Sequence, residues 1–159
     1  MRAYVGVGAN LGDRERTILR AVDRLAGAPG VEVIAISSLR ETAPWGPVEQ
    51  PWFLNGAVAI ETDRDPRELL DLLLEIERTL GRDRSGERFG PRTIDLDLLV
   101  VDDVTCDEPG LTLPHPRLHE RRFALEPLAE LAPDLVVPAR GAVAELLAAV
   151  EADEGRGEG

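Results

Sequence analysis

The sequence predicts an α+β fold: a ferredoxin-like βαββαβ core, in which one mostly antiparallel sheet carries helices on one face, followed by a C-terminal extension. Three observations predict it. Apolar residues alternate at period two in four segments and recur at helical spacing in two. These segments run in the order strand, helix, strand, strand, helix, strand, which is that of a split βαβ unit. The chain has 159 residues, 43% hydrophobic and 30% charged, a size and composition that suit one soluble domain with a real core.

Residues 3–8 (AYVGVG) alternate as the first strand. Asn10-Leu11-Gly12-Asp13 makes a turn in which Asp13 is placed to cap a helix, and Ile18, Leu19, Val22 and Leu25 then recur at helical spacing up to a stop at Gly27–Gly30. Residues 31–40 (VEVIAISSLR) form the second strand. Residues 41–52 hold three prolines and read as a structured loop. Residues 53–61 form the third strand. Asp65-Pro66 opens a helix that runs to about residue 80, with Leu69, Leu70, Leu73, Ile76 and Leu80 as its buried stripe. Residues 81–92 have three glycines and no apolar period, which predicts a mobile loop, and 93–101 (TIDLDLLVV) form the fourth strand. The extension contains a Pro/His/Arg segment at 112–123, an apolar stretch at 124–132 and a helix near 142–150. Residues 1–150 are thus expected to form a single domain, and the acidic, Gly- and Glu-rich tail at 151–159 to be disordered.

Charge removes several function classes. There are 30 Asp+Glu against 18 Lys+Arg, a formal charge of −12, and every basic residue is Arg. Without Lys there is no P-loop lysine and no Schiff-base amine. An acidic surface disfavours general binding of nucleic acid, which must displace counterions with basic groups. One polyphosphate at one locally basic site remains open. The single cysteine, Cys106, cannot form an intrachain disulfide and reads as a structural thiol in a reducing cytoplasm. The N-terminus runs directly into a strand, and no window approaches the ~18 uninterrupted apolar residues of a membrane span. A cytoplasmic monomer with no membrane partner is expected.

Three segments carry chemistry. In Asp95-Leu96-Asp97 the period of a strand projects both carboxylates from one face, while Ile94, Leu96 and Leu98 face the other way. Adjacent carboxylates repel unless a cation lies between them, and hard oxygen ligands at this spacing suit Mg²⁺ with phosphate oxygens. The alternative is two solvated aspartates, disfavoured by the apolar LLVV that follows, which predicts a buried strand. In the loop just before them, Arg82, Arg84, Arg88 and Arg92 stand against only Asp83 and Glu87. Arg forks match phosphate oxygens, and glycines let such a loop close over a ligand. The segment LPHPRLHERRF at 113–123 holds both histidines and three more Arg. His115 and His119 at i, i+4 raise zinc, but Pro116 lies between them and no third soft ligand is evident, so phosphate contact by His115 and Arg121 is the better reading. Trp45, Phe53 and Asn55 offer aromatic faces and an amide able to read a heterocycle edge, or else are plain core residues. Gly6-Val7-Gly8 begins a dinucleotide fingerprint that fails at Leu11, and Ser37-Ser38 has no base beside it.

Taken together, these segments resemble the 6-hydroxymethyl-7,8-dihydropterin pyrophosphokinase family of the folate pathway. The resemblance runs from Tyr4 to about Leu131. It is carried by VGVGANLGD at 5–13, SSLRETAPWGPVEQPWFLNGAV at 37–58, GRDRSGERFGPRTIDLDLL at 81–99 and LPHPRLHERRF at 113–123. It implies transfer of a pyrophosphoryl group from ATP to the pterin hydroxymethyl oxygen, with release of AMP. By resemblance Asp95 and Asp97 would hold two Mg²⁺ ions, with Arg82 and Arg92 on the phosphates. Glu77, Arg84, His115 and Arg121 would bind ATP, and Leu98 and Thr112 would lie beside the adenine. Thr42, Trp45, Phe53, Asn55 and Phe123 would form the pterin pocket, with Arg88 and Phe89 on the lid loop. Phe53 stands where the family often has Tyr, Phe89 where Trp is common, Ala43 for a frequent Pro and Leu74 for a frequent polar residue. Two readings of other classes compete. A non-catalytic ligand-binding module does not call for an Arg-rich loop beside a buried Asp pair, and a nucleotidyltransferase palm calls for a third carboxylate and a basic track.

Overall fold

The computed structural model describes residues 1–10, 12–43, 52–81 and 94–157, with side chains as far as Asp153. The first strand, β1 (Arg2–Ala9), is buried along most of its length, as its unbroken run of small and apolar residues requires of a central strand. It pairs antiparallel with β4 (Phe53–Thr62) on one side and with β5 (Asp95–Val101) on the other. The strand β2 (Val31–Ile36) pairs antiparallel with β4, so the order across the sheet is β2-β4-β1-β5.

The predicted strand at 31–40 is interrupted. It continues as β3 (Arg40–Thr42), which pairs with the other end of β4. The break falls at Ser37, whose Oγ accepts from the Ala57 amide at 2.8 Å and donates to the Ser38 carbonyl at 2.9 Å, so a hydroxyl takes the place of a ladder partner. Gly56 lies against this corner, where a Cβ would come within 2.7 Å of Leu39 Cδ2.

Helix α1 (Arg14–Ala26) starts as expected, with Asp13 Oδ1 accepting from the Arg16 amide at 3.1 Å. Its buried stripe is Ile18, Ala21, Val22 and Leu25, whereas Leu19 is exposed. Helix α2 (Pro66–Gly81) has its Pro at the first helical position and Asp65 Oδ1 accepting from the Glu68 amide at 2.9 Å. Both helices pack into one core with Val5, Val7, Leu96 and Leu98 of the sheet.

The helices of the extension cover the opposite face, while its first hairpin adds Leu111 and Leu113 to the core under α1 and α2. A hairpin of β6 (Cys106–Glu108) and β7 (Leu111–Leu113), turning at Gly110 with φ +79°, leads to a 3₁₀ turn at Leu118–Glu120 and then to α3 (Arg122–Leu131). A two-residue pair, β8 (Val136–Val137) with β9 (Gly141–Ala142), precedes α4 (Val143–Gly157). Leu125 and Leu128 of α3 and Val143 of α4 form a second core with Tyr4, Leu99 and Val100. The last helix continues through Glu151–Gly157, where the composition predicts a disordered tail; the strong helix formers Glu151 and Ala152 extend it. The result, among the described residues, is a mixed fold of antiparallel sheet and four α-helices. Among the described residues no helix is long and apolar enough to cross a membrane.

Candidate active site

A cavity of about 1120 Å³ opens between the sheet face that carries α3, the strand β3, and the 118–123 segment. Its floor follows from strand alternation. In β5, Leu96 and Leu98 are buried beneath the helices, so Asp95 and Asp97 emerge together on the opposite face, half-exposed, as expected. Their partners on β1 are Gly8 and Gly6. At these two positions β1 contributes no side chain to the floor.

The same pairing extends across the sheet. Gly8 pairs on its other side with Asn55 of β4, which pairs in turn with Arg40 of β3. Arg40, Asn55, Gly8 and Asp95 therefore form one transverse row. Asn55 is almost fully buried, and its Nδ2 donates to Thr42 Oγ1 at 2.5 Å. A Cβ on Gly8 would lie 2.5 Å from Asn55 Oδ1, so only glycine leaves room for the amide where it is. The Gly-Val-Gly that begins a dinucleotide fingerprint in the sequence is, in the fold, the flat strip between an amide and two carboxylates.

The walls come from loops and α3. Thr42 is paired with Phe53 in the sheet, and both line the cavity opposite Phe123 in the first turn of α3. The Arg121 guanidinium lies 5.5 Å from the centre of the Phe123 ring, and its Nη1 is 3.8 Å from Asp97 Oδ2, so it joins the aromatic and acidic ends. The His115 amide donates to the Leu99 carbonyl at 2.8 Å, which fixes the loop against β5. Its Nδ1 accepts from the Arg117 amide at 3.2 Å, which leaves the proton of the neutral ring on Nε2. Burial lowers its pKa below the ordinary imidazole value, Arg121 and Arg117 add to that, and Asp97 opposes it. The ring is thus favoured in its neutral, donor-bearing form near pH 7.

Thr42, Phe53, Asn55, Asp95, Asp97, His115, Arg121 and Phe123 are brought together in this one cavity. Three sequence candidates do not line it. Glu77 lies on α2, its Oε2 accepting from the Leu96 amide at 2.9 Å, so it holds β5 between the two aspartates from the far side. Leu98 is buried under the helices, and Thr112, on β7, donates to Asp107 Oδ1 at 3.2 Å. Trp45, Arg82, Arg84, Arg88, Phe89 and Arg92 lie outside the described residues, as does the predicted mobile loop. Reasoning from the sequence missed Gly6 and Gly8 as site residues, and also Arg40 and Glu126, which line the wall. The available signals were two glycines inside a strand otherwise fit for a core, and an Arg two residues before Thr42 on the same strand face.

Among the described residues no group of three or more carboxylate, imidazole or thiolate ligands is assembled. Asp95 and Asp97 make a pair of hard oxygen donors on the floor of the cavity. That set suits a cation that keeps water and takes its remaining ligands from a substrate's phosphates.

A family model described as 7,8-dihydro-6-hydroxymethylpterin-pyrophosphokinase matches residues 4–133. The 2-amino-4-hydroxy-6-hydroxymethyldihydropteridine pyrophosphokinase of Methylorubrum extorquens is 48% identical over 136 residues, 86% of this chain and 85% of that protein. The protein of the same description from Pseudomonas aeruginosa is 43% identical over 148 residues, 93% of this chain and 91% of that one. Among solved structures, Plasmodium falciparum HPPK-DHPS A437G with SDX-DHP superposes with a TM-score of 0.74 at 16% identity. That match covers 93% of this chain and 45% of the other, and it bears on the fold alone.

Proposed function

The chain belongs to the 7,8-dihydro-6-hydroxymethylpterin-pyrophosphokinase family, and on that premise we propose that the cavity above is where it transfers pyrophosphate from ATP to the hydroxymethyl group of 6-hydroxymethyl-7,8-dihydropterin, releasing AMP. The observation that carries this reading is the transverse row. It sets a heterocycle-reading amide, Asn55, and a cation-holding carboxylate, Asp95, on one sheet face two strands apart, with glycine between them. Two strand spacings are about 10 Å. A bicyclic ring seated on Asn55 and Thr42 then has its exocyclic carbon directed along the floor toward the carboxylates.

At the ring end, Asn55 and Thr42 bind the pterin edge, and Phe53 and Phe123 take its two faces. At the other end, Asp95 and Asp97 would hold Mg²⁺, which would supply charge neutralisation and help align the β-phosphorus. His115, neutral with its proton on Nε2, donates to a phosphate oxygen, and Arg121 binds a second from its place over Phe123. The attacking hydroxymethyl oxygen forms a bond to the β-phosphorus as the bond to the bridging oxygen of AMP breaks, and the hydroxyl proton is lost to water. Catalysis then rests on positioning and fixed charge, as loose phosphoryl transition states require.

By the family resemblance we assign Arg82 and Arg92 to the charge that develops as AMP leaves and Arg84 to ATP. Arg88 and Phe89 go to a closing loop, Trp45 to the pterin pocket, and Glu77, Leu98 and Thr112 to the adenosine side. We read the core as ferredoxin-like, supported by its antiparallel order β2-β4-β1-β5.

Titration with a non-hydrolysable ATP analogue, with and without Mg²⁺ and pterin, tests the reading. Mg²⁺-dependent nucleotide binding, and stoichiometric AMP and pterin diphosphate in the turnover assay, are expected. Nucleotide binding indifferent to Mg²⁺, or ADP as the product, would overturn it.

A further inference from the structure

We propose that Arg40 is a positioning residue that sets the width of the ring-binding slot by clamping β3 to α3, an inference that rests on the reading of that slot as the pterin site. The two walls of the slot are carried by separate elements. Thr42, which holds Asn55, is on β3, and Phe123 is on the first turn of α3. On α3, Phe123, Glu126 and Glu130 recur at i, i+3 and i+7, so one helical face carries both the ring wall and two carboxylates.

Those carboxylates reach β3 and the residues before it. Glu130 Oε2 accepts from the Ser38 amide at 2.7 Å and from Ser38 Oγ at 3.2 Å, while its Oε1 accepts from Arg40 Nη2 at 2.8 Å. Arg40 Nε lies 3.6 Å from Glu126 Oε2, and Glu126 Oε1 accepts in turn from Arg122 Nε. A continuous chain of charge therefore runs from Ser38 through Glu130, Arg40 and Glu126 to Arg122, beside Phe123. Arg40 is also the sheet partner of Asn55, so the guanidinium that grips α3 stands one strand from the amide it serves. Its Nη1 is buried and makes no hydrogen bond among the described residues, so the fork holds α3 through Nε and Nη2.

A planar fork engages two carboxylates of one helix in a fixed geometry; an ammonium can do so only as a point charge on a flexible stem, and a thioether not at all. Loosening the clamp lets α3 and Phe123 move away from Thr42, and the slot then holds a flat ring less tightly. The carboxylates on β5 are unaffected, because their place is set by pairing with β1.

The test compares Arg40→Met, Arg40→Lys, Glu130→Gln and the double variant Arg40→Met/Glu130→Gln with wild type. The KM for pterin and for ATP, and the Kd of the pterin by its own fluorescence, are measured alongside thermal melts. Arg40→Met is expected to raise the pterin KM and Kd about fivefold to tenfold, with the ATP KM changed less than twofold. Arg40→Lys recovers part of the loss, and the double variant is no worse than the poorer single one, as members of one network must be. If Arg40→Met melts below the assay temperature, Arg40→Lys and Glu130→Gln carry the same comparison with smaller shifts. An unchanged pterin KM, or equal changes for both substrates, would overturn the clamp while leaving the site intact. A wild-type protein that releases no AMP would instead overturn the reading of the site.

Discussion

Gly8→Ala is the substitution for which general rules and this structure predict opposite signs. In a strand, alanine in place of glycine at an ordinary φ stabilises by roughly 0.4–1 kcal/mol, because the unfolded chain loses freedom. Here the added Cβ would sit 2.5 Å from Asn55 Oδ1, about 1 Å inside normal contact, so the amide must move or the strands must part. Overpacking of this kind costs about 1–3 kcal/mol, which outweighs the entropic gain. At roughly 2–4 °C per kcal/mol for a chain of this length, the variant is expected to melt a few degrees lower. The displaced amide also gives up its hydrogen bond to Thr42 and the edge of the ring it reads. The lost hydrogen bond to the ring, about 1 kcal/mol, corresponds to a roughly fivefold rise in the pterin KM, and the lost bond to Thr42 adds to the fall in stability. Gly81→Ala is the control, since among the described residues nothing lies within 4 Å of a Cβ at Gly81. It is expected to melt at or above wild type. Calorimetry and a steady-state AMP-release assay give both readouts. A Gly8→Ala protein that melts like the control and keeps its pterin KM within twofold would refute the argument that this glycine exists to make room for Asn55.

Three further outcomes are expected. Asp97→Ala should lower pyrophosphoryl transfer by on the order of 10³-fold or more, because the carboxylate pair is the proposed seat of the cations; near-normal AMP release at saturating Mg²⁺ would sink that assignment. Phe123→Leu and Phe123→Ala should weaken pterin binding progressively, the latter by about 1–3 kcal/mol for loss of a stacking face, read by fluorescence titration. Glu130 is held below the ordinary carboxyl pKa, first by the Ser38 amide and then by the Ser38 hydroxyl and Arg40. Because its folded pKa is the depressed one, its contribution to stability is present above the unfolded value of about 4.3 and is lost as pH falls through the folded value. The difference in urea midpoint between wild type and Glu130→Gln should therefore be widest near pH 7 and close toward pH 3; a gap that widens in acid would contradict it.

Legibility in the sequence followed the range of the interactions involved. The strand holding Asp95 and Asp97, the cap at Asp13 and the stripe of α2 are local patterns, readable from neighbours two to four residues apart. The cluster of Thr42, Phe53, Asn55, His115, Arg121 and Phe123 became legible through long motifs rather than through periodicity. What stayed hidden depended on register. Gly8 opposite Asn55, and Arg40 opposite Asn55, are facts about which residue meets which across strands, and no single segment encodes them. The break at Ser37 was hidden for the same reason, since its hydroxyl finds the Ala57 amide only once β4 is in place. The extension of α4 past Glu151 was concealed by composition: Gly and Glu together suggested a tail, while Glu and Ala taken alone favour helix.

Register also explains how a chain of charge −12 can accept a polyanion. Around the ring end, the wall's acids are engaged by arginines from other elements or turns: Glu41 by Arg14 at 2.5 Å, Glu126 and Glu130 by Arg40, Glu126 also by Arg122, and Glu120 by Arg117 at 3.3 Å. Such pairs add little to stability when exposed, so their value here lies elsewhere. They leave the slot between Phe53 and Phe123 with little net field, which suits an uncharged heterocycle. Asp95 and Asp97 are set apart by strand alternation, which forces them side by side on the floor, with Arg121 Nη1 3.8 Å from Asp97 Oδ2. On the proposed reading, a polyanion binds there together with cations held by the two aspartates. Divalent metal should therefore be required for nucleotide binding at this floor and not for binding of the pterin ring. Pterin fluorescence titrated in EDTA distinguishes the two: unchanged ring affinity with nucleotide affinity abolished is the expected result, and loss of both would mean that the metal shapes the whole cavity rather than one end of it.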